Sequence, residues 1–173
     1  MNPSASAHSS VIAEAIAQGA TNLEKLKKHS GDIGRAGDIM IDALRTNHAI
    51  YFCGNGGSAA DAQHLAAELS GRFLKDRRPL AGVALTTNTS ALTAIGNDFG
   101  YDHVFSRQLE GIGKQGDVLV SLSTSGNSPS VIKAVECARA LGMKTIGLTG
   151  ERNSALSEKC GICLQVPSTS TPR

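Results

Sequence analysis

The chain has 173 residues, 40% of them hydrophobic, and a formal net charge of +2, which fits one domain with a real core and leaves no length for a second. Its basic residues are scattered apart from Lys25, Lys27 and Lys28 and the group Lys75, Arg77 and Arg78. With two Tyr, four Phe and no Trp to stack bases, this is no nucleic-acid footprint. No apolar run is long enough to span a membrane, and the start MNPSASAHSS lacks a basic segment followed by an apolar one, so a cytoplasmic protein is expected.

In chain order, Val11, Ile12, Ala15, Ile16, Ala20, Leu23 and Leu26 recur at helical spacing with Glu14, Gln18 and Glu24 between them, predicting a long amphipathic helix over 11–29. A helix ahead of the first strand cannot be a crossover, so its apolar stripe must cover the domain's edge or another subunit. A second helix is predicted over 32–45, capped by Ser30 or Asp32. Residues 48–53 read as the first strand, and the alanines and leucines after Ser58 predict the helix that follows. An apolar run over 80–86 precedes a short helix over 90–95, a break at 96–100 and a helix over 104–112. Strand 117–122, a polar loop, helix 129–141, strand 144–149, helix 154–159 and strand 162–166 complete the order. PSTSTPR closes the chain as an exposed, helix-breaking tail.

Alternating strands and helices, with strands apolar on both faces, predict an α/β domain whose parallel sheet is covered by helices on both sides. The N-terminal helices occupy about 8–46 and the sheet core about 47–167 of a single domain. Cys53, Cys137, Cys160 and Cys163 include one Cys-x-x-Cys. A lone pair inside an apolar run reads as reduced core thiols of a buried strand rather than a zinc site.

Two polar loops carry the chemistry, and in such sheets both open onto the rim at the strands' carboxyl ends. The first, Gly54-Asn55-Gly56-Gly57-Ser58, satisfies G-x-G-x-x-A, but Thr86 and Thr87 stand where a dinucleotide site needs an acid, and a P-loop's G-K-[ST] ending is absent. The reading left is a tight turn at which a sugar or phosphate approaches the backbone and Asn55 and Ser58 hydrogen-bond it; a plain glycine turn is the bland alternative. The second runs through Ser123, Thr124, Ser125, Gly126, Asn127 and Ser128 to Pro129 at the first helical position, with Ser128 as N-cap. Hydroxyls converging on a helix N-terminus favour a dianion such as a phosphate monoester. Between the loops, His64 and Glu68 are four residues apart on one helix face, with Arg72 a further turn along the same stripe. That pair can share a zinc ion, and the carboxylate can act as a base, although two polar residues at this spacing are often a solvated face.

The segments CGNGGSAADAQHLAAELSGRF, LTTNTSALTAIGNDFGYDHVFSRQL and LVSLSTSGNSPSVIKA resemble the sugar isomerase (SIS) domain family, and within it the phosphoheptose isomerases. The resemblance implies a three-layer flavodoxin-like fold with a five-stranded parallel sheet and a long N-terminal helix, a homotetramer with sites at subunit contacts, and isomerisation of sedoheptulose 7-phosphate. Carried over by position, Asn55, Gly56, Gly57, Asn97 and Asp98 line the sugar site, and Ser123, Thr124, Ser125 and Ser128 hold the phosphate. His64 and Glu68 bind zinc, one ion per subunit, with Glu68 also the catalytic base. The family continues past PSTSTPR with a helix whose Gln and His complete the zinc shell, so two further ligands are expected beyond Arg173.

A rival of another class is a non-catalytic relative that scaffolds protein contacts in the manner of replication-initiator binders; such relatives are expected to lack the His-x-x-x-Glu pair present here. A sugar-phosphate-sensing regulator would come fused to a DNA-binding module, which these residues do not contain. The enzyme reading is preferred.

Overall fold

The computed structural model describes the backbone of residues 3–170 and the side chains of residues 8–170. Helix α1 spans Pro3–Leu26 and passes through a 3-10 turn, Lys27–His29, into α2, Ser30–Arg45. Then follow β1 (Ile50–Gly54), α3 (Gly57–Ser70), β2 (Gly82–Ala84), α4 (Thr89–Phe99), a 3-10 turn (Tyr101–His103) and α5 (Ser106–Ile112). The remainder is β3 (Val118–Leu122), α6 (Pro129–Ala140), β4 (Lys144–Gly150), α7 (Ala155–Lys159) and β5 (Ile162–Val166).

All four strand pairings are parallel, and the sheet order is β2-β1-β3-β4-β5. Strands β1 and β3 lie inside the sheet and are buried along their whole length, as their predominantly apolar runs require, with Ser121 a buried polar residue of β3. Their side chains alternate between two cores. Ile50, Phe52, Val118, Val120 and Leu122 face α2 and α3, with Ala36, Ala43, Ala62 and Ala66 opposite them. Tyr51, Cys53 and Leu119 face α5 and α6, against Phe105, Leu109, Val131 and Val135. Helix α2 also meets β5, on the same face as α3. The result is the expected three-layer, five-stranded doubly wound fold. Its order reverses between β1 and β3, the crevice where such folds bind ligands.

Several local expectations are corrected. Helix α4 does not stop at residue 95: Gly96, Asn97, Asp98 and Phe99 are helical, and the chain turns only at Gly100, whose φ of 85° suits glycine. Asn88 caps it, accepting a hydrogen bond from Ala91 N at 3.0 Å. Neither Ser30 nor Asp32 caps α2; the cap position is His29, with no side-chain bond, because the 3-10 turn leads directly into the helix. The β2 ladder is only three residues long, and β5 is a half-buried edge strand rather than a buried one. Pro167 is buried and Ser168 O accepts from Glu151 N, so the tail begins packed; its residues 171–173 lie outside the described ones. No described helix is long and apolar enough to cross a membrane.

Candidate active site

The turn after β1 is built by two glycines with different reasons. A Cβ on Gly54 would sit 2.7 Å from Ser58 Cβ, and Gly56 has φ of 58° with open space around it. Ser58 N donates to Asn55 O at 3.1 Å and opens α3. Asn55 therefore leaves the strand toward β3, where Nδ2 donates to Ser130 Oγ in the first turn of α6 at 3.0 Å. Its Oδ1 accepts from the Tyr101 hydroxyl, also at 3.0 Å.

The loop after β3 folds its hydroxyls inward. Ser123 Oγ lies 3.2 Å from Ser128 Oγ and 3.5 Å from Ser125 Oγ. Ser128 occupies the N-cap position with Pro129 behind it, as expected, but its hydroxyl makes no capping bond and turns to Ser123 instead. The positive end of α6 thus faces the serine cluster without a side-chain cap of its own. Asn127 fixes the loop: its N–H donates to Ser125 Oγ at 3.2 Å, Nδ2 donates to Ser125 O at 3.0 Å and Oδ1 accepts from Ala155 N at 3.1 Å. Gly126 has φ of 66°, and a Cβ there would collide with the Ser154 side chain. The loop is therefore braced by the start of α7, where Leu156 N also donates to Gly126 O at 3.0 Å.

These serines open into a cavity of about 440 Å³ that runs past Ser58 and Asp61 to Gly150 at the end of β4 and Arg152 in the loop before α7. Ser123, Thr124 and Ser125 line it; Ser128, Asn55, Gly56 and Gly57 do not, although Ser128 is tied to its wall through Ser123 while Asn55 is bonded beside it to Ser130. Asn97 and Asp98 are exposed at the end of α4, bonded to each other at 2.8 Å, and lie outside the cavity.

Farther along α3, His64 Nε2 is 3.3 Å from Glu68 Oε1, with their side chains 72% and 30% exposed. Arg72 does not extend this stripe, because α3 ends at Ser70; the C-terminal carbonyls are instead held by Arg77, which donates to Glu68 O at 2.7 Å and Leu69 O at 2.9 Å. Among the described residues no group of three or more His, Cys, Asp and Glu is placed to hold a metal. His48 is turned to Asp117 at 3.3 Å, just ahead of β3, and His103 to Lys133 Nζ at 2.9 Å. Cys160 and Cys163 both pack over Gly147 of β4 and are partly buried, and desolvation pushes their thiols up to about 12 and about 11.

Tyr101, Ser130, Asn127 and Arg77 act in this architecture without having been singled out in the sequence. The SGNS run contains Asn127, so that residue had a local signal. The other three depend on contacts across 8 to 75 residues of chain.

A doubly wound α/β domain with a serine cradle at its switch point and a His–Glu pair on the neighbouring helix is a sugar-phosphate-handling architecture. The chain belongs to the SIS domain family, whose model matches residues 14–150, and within it to the phosphoheptose isomerases, which are enzymes. It is 60% identical over 141 residues to the phosphoheptose isomerase of Rhodospirillum rubrum, covering 82% of this chain and 75% of that one. It is 52% identical over 165 residues to that of Aliarcobacter butzleri, covering 95% and 87%. The solved structure of phosphoheptose isomerase GmhA from Neisseria gonorrhoeae superposes with a TM-score of 0.87 at 44% identity, over 93% of this chain and 86% of that one.

Proposed function

We propose that this chain isomerises D-sedoheptulose 7-phosphate to D-glycero-D-manno-heptose 7-phosphate, the first step toward nucleotide-activated heptose for surface glycans such as lipopolysaccharide. The observation that carries this reading is the serine cradle at the β1/β3 crevice, in a chain half or more identical to curated phosphoheptose isomerases. The phosphate would be held by Ser123, Thr124, Ser125 and Ser128 at the positive end of α6, giving binding energy remote from the reacting carbons. Asn55, Gly56, Gly57, Asn97, Asp98 and Arg72 are assigned to the sugar side.

Aldose–ketose isomerisation moves a proton between adjacent carbons through an enediol. It needs a base and positive charge or a donor near the oxygens. Glu68 is the base: its carboxylate is partly shielded, and its backbone is held at the end of α3 by Arg77. His64 and Glu68 also fit a zinc ion as half of its shell, since an imidazole nitrogen and a carboxylate oxygen converge on one exposed spot. When bound there, the ion would supply Lewis acidity to the substrate oxygens. We further propose a cytoplasmic homotetramer; the exposure of Ile12, Ile16 and Leu23 on α1, at 60%, 69% and 68%, supports a subunit contact through that face.

Conversion of sedoheptulose 7-phosphate, followed by NMR of the sugar carbons in the full-length protein, tests the proposal. Absence of product, or equal turnover of non-phosphorylated sedoheptulose, overturns it.

A further inference from the structure

We infer that Tyr101 and Ser130 are positioning residues that clamp the Asn55 side-chain amide, fixing which of its edges faces the sugar in the β1/β3 crevice. The inference rests on the assignment of Asn55 to the sugar site and goes beyond it. The three side chains come from separate parts of the fold: the turn after β1, the 3-10 turn after α4 and the first turn of α6. Asn55 joins the other two through a 3.0 Å bond on each side.

A primary amide offers two N–H donors and two carbonyl lone pairs. Here one N–H goes to Ser130 Oγ and one lone pair receives the Tyr101 proton, so one donor and one acceptor remain, at fixed places. A phenol is the more acidic of the two hydroxyls and hence the better donor, so Oδ1 belongs on the Tyr101 side and Nδ2 on the Ser130 side. The anchors differ in burial. Ser130 is 2% exposed and fixed in the helix, whereas Tyr101 is 58% exposed and reaches Asn55 because Gly100, at φ of 85°, turns the chain back. Ser130 sets the amide's place, and Tyr101 sets its rotation. Without Tyr101's hydroxyl the amide is free to turn over and present a donor where the sugar needs an acceptor. Neither positioning residue belongs to the serine cradle, so the clamp acts on the sugar and leaves the phosphate alone.

The experiment compares Tyr101→Phe, Ser130→Ala, their double variant and Asn55→Ala in the full-length protein. Turnover of sedoheptulose 7-phosphate, affinity for inorganic phosphate, Tm and the side-chain 15N–1H signal of Asn55 are measured for each. Each single variant should lower kcat/KM by about three- to tenfold, the scale of one neutral hydrogen bond. Phosphate affinity and Tm should stay at parent values in Tyr101→Phe. The double variant should lose less than the product of the two singles, because an amide already released has no orientation left to lose. The Asn55 side-chain signal should move in both singles, a readout that needs no turnover. Parent-like kcat/KM in both singles beside a large loss in Asn55→Ala overturns the clamp while leaving Asn55 in the sugar site. Parent-like activity in Asn55→Ala overturns the clamp and the underlying assignment together. A lower phosphate affinity matching the kcat/KM loss would mean that the substitutions act on the cradle, and would also overturn it.

Discussion

Glu68 Oε1 lies 3.3 Å from His64 Nε2 across one turn of α3, with the imidazole open to solvent and the carboxylate about two-thirds shielded. A carboxylate so placed can share a cation with the imidazole or take a proton, and Glu68→Gln separates these roles from mere shape. The variant keeps size and hydrogen-bonding capacity but loses charge and basicity, so turnover of sedoheptulose 7-phosphate should fall by at least ~10², the usual scale for a lost general base. Phosphate binding should persist, because the serine cradle is untouched, and zinc content measured by mass spectrometry should drop. Parent-rate turnover in Glu68→Gln would place the base elsewhere.

The cradle makes a separate prediction. Contacts between hydroxyls and a dianion are charge-assisted, at about 1.5–3 kcal/mol each. Ser125→Ala or Ser128→Ala should therefore raise KM about tenfold or more with little change in kcat. Gly126→Ala should do worse and also lower Tm, since its Cβ would meet Ser154 and its φ of 66° disfavours any side chain. A Gly126→Ala protein with parent KM and Tm would show that α7 does not brace the loop.

How far this could be read in advance depended on whether the signal was local. The central strands were legible because β1 and β3 are buried on both faces and so read as predominantly apolar runs, and the loops were legible because Gly56 and the serines come directly after them. The end of α4 was not. Gly96 and Asn97 look like a break, yet the helix continues through them, and the left-handed residue that ends it is Gly100. Ser128 shows a subtler limit, since position made it a cap while its hydroxyl found Ser123 five residues back. The Tyr101–Asn55 bond spans 46 residues and exists only because the sheet order sets these loops side by side.

The desolvated thiols, Cys53 fully buried and Cys160 and Cys163 partly so, predict an alkaline limit to stability. Burial raises Cys53 and Cys160 from 9.0 to about 12 and Cys163 to about 11. A folded-state pKa above the unfolded value contributes stability that is whole below about pH 9 and is lost as pH rises toward the folded values. Tm followed from pH 8 to pH 11 should fall, and Cys160→Ala should flatten that fall. A flat profile in the parent would mean that the thiols are not desolvated as packed. At pH 8 the same thiols should resist a disulfide reagent until the protein is unfolded.

The final prediction concerns α1, whose main partner within the chain is the 3-10 turn that follows it. Its less exposed face carries Ala15, Gly19, the buried Asn22 and Leu26, while Val11, Ile12, Ile16 and Leu23 are 56–69% exposed. Fully burying one such side chain is worth about 1.5–3 kcal/mol, so a partner covering several of them would gain much of what a stable interface needs. Sedimentation of the parent at micromolar concentration should give a species larger than a monomer. Ile16→Glu combined with Leu23→Glu should shift it to the monomer with the far-UV spectrum of the α/β core retained, since neither side chain belongs to the two cores beside the sheet. A parent that sediments as a monomer, or a double variant that assembles as the parent does, would remove α1 from the subunit contact and leave its apolar face without the role assigned to it.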